Sequence, residues 1–155
     1  MAENRTYFYE GMFLIGQAAA ADLSAVIDHI KEILARGHAE VIAMRKWDER
    51  RLAYEIKKQK RGLYILVYFK APGGSLAHIE RDCNLSEKLL RVMLLRCDHL
   101  TLDEMAAADG REALDTEARL RASQAREREV QGDAVAATAT SAAGLAGGEE
   151  DERQE

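Results

Sequence analysis

The sequence predicts an α+β domain followed by an acidic tail, and three observations carry that prediction. Strand-like runs and amphipathic helical stretches alternate through the first 100 residues. All nine aromatic residues lie between Tyr7 and Phe69, so the segment rich in large core-forming side chains ends early in the chain. Charge is segregated: residues 1–100 carry 16 Lys/Arg against 13 Asp/Glu, a net of +3, whereas residues 101–155 carry 6 against 14, a net of −8.

Tyr7 to Ile15 is aromatic and apolar with Glu10 as its single charge, which reads as a strand. Gly16 and residues 17–21 form a connection to Asp22, a good helix N-cap. Leu23, Val26, Ile27, Ile30 and Leu34 then recur at helical spacing, and Gly37 stands where a C-terminal cap belongs. Ala39 to Trp47 returns to strand character, and residues 50–61 read as the strand's end and a hairpin. Leu63 to Phe69 is the strongest strand, broken by Ala71-Pro72-Gly73-Gly74. Ser75 caps a short helix with Leu76, Ile79 and Cys83 on one face, and Leu89 to Cys97 is a last strand.

The order β-α-β-β-α-β is the split βαβ, or ferredoxin-like, arrangement: a four-stranded antiparallel sheet with two helices on one face. The expected division is residues 1–100 as that domain and 101–155 as an acidic, Ala/Gly-rich tail, partly helical or disordered. Within the tail, Asp115–Arg119 and Glu117–Arg121 have the i,i+4 spacing that supports a helix over roughly residues 111–130. Residues 132–148 have a linker composition, and residues 149–155 form an acidic end.

The chemistry concentrates in residues 45–61. Eight cations, Arg45, Lys46, Arg50, Arg51, Lys57, Lys58, Lys60 and Arg61, face three acids, Asp48, Glu49 and Glu55, a local net of +5. Trp47, Leu52, Tyr54 and Ile56 punctuate them. Cations pair with phosphates and interleaved aromatics stack on bases, so this segment points to RNA. A solvated hairpin that keeps the protein soluble is the alternative reading of the same charges. Arg61, Gly62 and Tyr68 match the RNP1 pattern of RRM domains, but Leu63, Tyr64, Ile65 and Leu66 do not, and the missing residues include aromatics that would stack bases; Tyr64 and Tyr68 read as sheet-packing residues.

Other chemistries find little support. His78 and His99 with Cys83 and Cys97 are candidate metal ligands, yet none of their spacings is that of a metal motif, so no metal site is nominated. Two cysteines fit a reduced cytoplasmic protein better than a disulfide scaffold. Phosphate-binding and nucleophile motifs are absent, so no catalytic residue and no cofactor are expected. Gly73-Gly74 reads as a plain turn ahead of a phosphate nest. No apolar run reaches transmembrane length and the N-terminus lacks an apolar signal region, so neither membrane nor secretion is expected.

At Arg50-Arg51-Leu52-Ala53-Tyr54-Glu55-Ile56, followed by Lys57-Lys58 and Gly62, the chain resembles the bacterial small-subunit ribosomal protein S-six family. Tyr9-Glu10 is similar to that family's opening strand and Arg91-Val92-Met93 to its last, and the likeness spans roughly residues 5–100. The resemblance implies a ferredoxin-like fold and no enzymatic activity. It also implies binding to the central domain of small-subunit rRNA together with ribosomal protein S-eighteen, in the cytoplasm, with no small-molecule substrate. Carried over by position, Arg50, Arg51 and Tyr54 fall in the family signature and Arg91 in its last strand. The long acidic tail and the mildly basic domain depart from the pattern. Two rivals are a non-catalytic regulatory or dimerisation module and a small ferredoxin-like hydrolase. The hydrolase needs a cation in the loop at residues 16–21, where this chain has none.

Overall fold

The computed structural model describes residues 5–143, with side chains as far as residue 138. The elements are β1 (Thr6–Gly16), α1 (Gln17–Ala20), α2 (Leu23–Arg36), β2 (Glu40–Ile56), β3 (Gln59–Pro72), α3 (Leu76–Leu85), β4 (Leu89–Arg96), α4 (Leu102–Ala107) and α5 (Arg111–Ala143). The sheet order is β2-β3-β1-β4 and every neighbouring pair is antiparallel. This is the expected ferredoxin-like topology, with α2 crossing from β1 to β2 and α3 from β3 to β4. The expected acidic end at residues 149–155 lies outside the described residues.

The two central strands explain the layering. β1 and β3 pair without a break from Thr6↔Pro72 to Gly16↔Gly62. Strand side chains alternate between faces, so Phe13 and Ile15 of β1 share a face with Leu63, Ile65, Val67 and Phe69 of β3. Against that face pack Leu23, Val26, Ile27, Ile30, Ile33 and Leu34 of α2 and Ile79 and Cys83 of α3. Asp22 accepts the Ala25 N–H at 3.2 Å and caps α2 as expected.

Gly37 ends α2 for a reason other than conformation. Its φ is −85°, and the residue in the left-handed region is the next one, His38, at φ 56°. A Cβ at Gly37 would stand 2.3 Å from Cγ1 of Ile79, a fully buried side chain of α3. The glycine is needed for space, because it lets the two helices close on each other.

The opposite face is covered in part. Ala43, Leu66, Tyr68 and Cys97 form a second apolar cluster that Met105 of α4 closes. Thr101 and Glu104 form a reciprocal capping box at the start of α4. The chain then meets the outer strand β2: the Met44 N–H donates to Asp109 Oδ1 at 3.1 Å, and the Gly110 N–H donates to the Met44 carbonyl at 3.0 Å. Outward backbone groups of an edge strand are a liability when unpaired, and here Asp109 and Gly110 satisfy those of Met44. Past that point Leu114 and Ala118 of α5 join the helix-side core.

The boundary expected at residue 100 is therefore displaced. The compact unit runs to Ala122, because Met105, Leu114 and Ala118 bury against it. Three isolated apolar residues among acidic neighbours carry too faint a pattern to be read from sequence. The second unit begins at Ser123. Its residues are helical to Ala143, beyond the expected limit near residue 130, and all its described side chains are exposed. Its alanine content favours helix.

Two stability predictions follow from this packing. Ile30 is fully buried, so Ile30→Ala should cost about 2–5 kcal/mol in denaturant unfolding. Truncation after residue 110 removes Leu114 and Ala118 and should lower the melting temperature. Truncation after Ala122 should leave it unchanged, with both read in one calorimetric series.

Candidate nucleic-acid interface

The basic segment is the outer half of a long hairpin. β2 and β3 pair to Arg51↔Arg61, lose register, and meet again at Ile56↔Gln59. Lys57 and Lys58 make the two-residue turn with φ of 47° and 65°. Positive φ at both positions defines a type I′ turn, whose twist matches that of the flanking strands. Asn-Gly would satisfy that geometry more easily, so two lysines here hold charge at the tip against local preference.

Register breaks aim the side chains. Lys46 pairs Ile65 and Asp48 pairs Tyr64, leaving Trp47 as the extra residue of a bulge. Trp47 is 46% exposed and meets Tyr64 edge-on at 5.6 Å. The Arg50 guanidinium stands 4.9 Å from the Trp47 ring centre, and its Nη2 is 2.7 Å from Asp48 Oδ2. Between Arg51 and Ile56 the arm carries Tyr54 across the sheet to β4, where the Arg91 guanidinium lies 5.2 Å from its ring and donates to its hydroxyl. Under this arm is an open depression of about 300 Å³ with Met12, Leu14, Leu52 and Met93 in its wall.

The expected cations thus divide into groups. Arg50 and Arg91 are each joined to an aromatic ring, Trp47 and Tyr54 respectively. Arg45, Arg51, Lys57, Lys58, Lys60 and Arg61 are exposed and have no acidic partner among the described residues. Arg51 and Arg61 stand directly opposite each other in the register, an arrangement that costs stability unless an anion sits between or beside them.

Lys46 stands apart. Its Nζ donates to Glu49 at 3.1 Å and to Glu117 of α5 at 2.9 Å. Arg121 donates to the same two carboxylates at 2.7 and 2.6 Å and to the Ala20 carbonyl at 3.1 Å. Burial works against the charge of Lys46, but the bonds to Glu117 and Glu49 outweigh it and raise its pKa. Burial likewise opposes ionisation of Glu49 and Glu117, and the same cations overcome it and hold both carboxyls below their ordinary value. The expected Glu117–Arg121 pair is formed, and it ties the start of α5 to the base of the hairpin.

Sequence reasoning missed two parts of this surface. Tyr64, read as sheet packing, also supports Trp47, and the signal for it was the bulge, which depends on register. The Lys46 network was hidden because Glu117 and Arg121 lie some 70 residues away (71 from Lys46 to Glu117). The four candidate metal ligands do not share one place: Cys83 belongs to the helix-side core and Cys97 to the cluster on the opposite face, where His99 lies close to it.

The network supplies a pH dependence. A carboxyl whose pKa is lowered on folding adds stability above its unfolded value, and that stability is lost as pH falls through the folded value. Glu49 and Glu117 are both lowered from 4.5. Acidification through and below about pH 4.5 should therefore loosen α5 from the hairpin. Arg121→Ala should flatten that limb of the stability–pH curve and cost about 1 kcal/mol at neutral pH, read by urea denaturation across a pH series.

Comparisons with known proteins agree with this architecture. Residues 8–96 match the family model described as ribosomal protein S6. The small ribosomal subunit protein bS6 of Campylobacter lari is 33% identical over 92 residues, covering 59% of this chain and 74% of the relative. The bS6 of Desulforamulus reducens is 35% identical over 89 residues, covering 57% of this chain and 94% of the relative. The crystal structure of 30S ribosomal protein S6 from Thermotoga maritima superposes with a TM-score of 0.54 at 25% identity, covering 60% of this chain and 89% of that one. The match spans the sheet, its two crossover helices and the basic hairpin, and the chain belongs to the ribosomal protein S6 family.

Proposed function

We propose that this chain is a structural, non-catalytic component of the bacterial small ribosomal subunit, acting in the cytoplasm. It binds small-subunit rRNA through the β2–β3 hairpin. The observation that carries the reading is the pairing of Arg51 with Arg61, with Lys57, Lys58 and Lys60 beyond them and no acid to neutralise any of the five among the described residues. A folded chain holds such a cluster at a cost, and phosphate oxygens offset it while releasing counterions. Trp47, carried on the bulge with Arg50 beside it, offers an exposed face for an unstacked base.

The partner reading extends this. Met93 and Leu95 of the outer strand β4 are half exposed, and the depression beneath Tyr54 and Arg91 opens beside Met93. An apolar surface next to a basic hairpin suits a second RNA-binding protein that shares the rRNA site, and ribosomal protein S-eighteen is that partner in this proposal. The central domain of the small-subunit rRNA is the site.

The test is binding of the purified chain, with and without S-eighteen, to a transcript of the rRNA central domain across a salt series. Wild type should lose affinity steeply as salt rises. A variant with Arg51, Lys57, Lys58 and Arg61 changed to Ala should bind more weakly and with a shallower salt slope, while melting at or above the wild-type temperature because like charges have been removed. Equal affinity and slope in both proteins would reject the hairpin as the RNA surface.

A further inference from the structure

We propose that Glu10, Cys97 and His99 form a binding site for a borderline divalent transition metal of the zinc(II) class. The three come from two adjoining places in the fold. Glu10 lies on the central strand β1, opposite Leu95 of β4. Cys97 follows β4 directly, and its N–H donates to the Phe8 carbonyl at 2.8 Å, which fixes it to β1. His99 is two residues further on, just before the capping box of Thr101 and Glu104 that anchors α4. One carboxylate oxygen, one sulfur and one imidazole nitrogen lie within 4.8 Å of one another.

The chemistry of the set is that of a metal-binding cluster. Sulfur, imidazole and carboxylate together select zinc or cobalt over magnesium or calcium, which take oxygen alone. Bonds of about 2.3 Å to sulfur and about 2.0 Å to nitrogen and oxygen place tetrahedral ligand atoms about 3.5 Å apart. The observed spacing thus needs to close by about an ångström. Glu10 is only partly buried and His99 is exposed, so both can rotate inward.

The surroundings favour the same use. Cys97 is 1% exposed among Tyr68, Leu66 and Met105, an apolar wall that keeps water from its sulfur. The side chains of Glu10 and His99 have no hydrogen-bond or ion-pair partner among the described residues, so their donor atoms are available. Asp98 is turned away, paired to Arg96 at 2.8 Å. On binding, the Cys97 thiol releases its proton to solvent and the thiolate takes the metal. Three protein ligands leave one tetrahedral position for water or for a group from a neighbouring molecule.

The test is a cobalt(II) titration of the purified full chain under reducing conditions, followed by zinc(II) displacement. The expected result is a thiolate-to-cobalt absorption band at one equivalent, removed by zinc, with a rise in melting temperature. The band should vanish in Cys97→Ser. Cobalt affinity should fall about tenfold or more in His99→Ala and in Glu10→Gln, since even outer-shell partners of a metal carry that much. Cys83→Ala is the control: that thiol is buried in the other core, where burial pushes it up to about 12, and the band should persist without it. His99 and Glu10 are not core residues, so their variants test the site even if Cys97→Ser does not fold. No thiolate band in wild type, or an unchanged band and affinity in His99→Ala and Glu10→Gln, would overturn the proposal.

Discussion

The unbroken antiparallel pairing of β1 with β3 is the constraint on which the remainder of the molecule depends. It runs from Thr6↔Pro72 to Gly16↔Gly62, and slipping it by one residue would exchange the two faces of both strands. With it in place, Phe13, Ile15, Leu63, Ile65, Val67 and Phe69 form one apolar surface, and α2 and α3 have a floor to cover. The same ladder leaves β3 continuing past Gly62, beyond the end of β1. That overhang is where the hairpin leaves the shelter of the sheet and where its cations become available. At the junction a Cβ on Gly62 would meet the tip of the Leu14 side chain, Cδ1, at 2.5 Å, so a larger residue there would displace that side chain.

Against this frame the hairpin is built with a cost that the proposed RNA-binding role would offset. Arg51 faces Arg61, and the turn residues Lys57 and Lys58 adopt left-handed backbone without the aid of Asn or Gly. Neither choice is what stability alone would select. Locally unfavourable choices of this kind gather at functional sites. The opposite treatment is given to Lys46, which Glu49 and Glu117 neutralise while Arg121 completes the set. One end of the basic segment thus anchors α5 and the other carries cations with no acidic partner among the described residues, although both read alike in the sequence.

The fold was legible because it rests on local signals. The period-3.6 stripe of α2, the aromatic and β-branched runs of β1 and β3, and the cap at Asp22 are each written within a dozen or so residues. The basic hairpin was legible by composition, and the family by the residues around Arg50 and Tyr54. Register was not legible: the Trp47 bulge, the Arg51↔Arg61 pair and the reach of Tyr54 to Arg91 depend on which residues face each other across strands. The long-range strap was not legible either. Met105, Leu114 and Ala118 acquire meaning only once the sheet offers them two faces to cover, and Glu10 meets Cys97 and His99 only through the β1–β4 register.

Lysine acylation of the chain in purified small subunits, set against the free chain, tests most directly that the hairpin tip faces rRNA. Lys57, Lys58 and Lys60 are exposed in the free chain, as is Lys31 on the outer side of α2. The hairpin lysines should be protected in the subunit, by contact with phosphates, to a much greater degree than Lys31. Hairpin lysines that react as readily in the subunit as in the free chain would contradict an rRNA-facing hairpin.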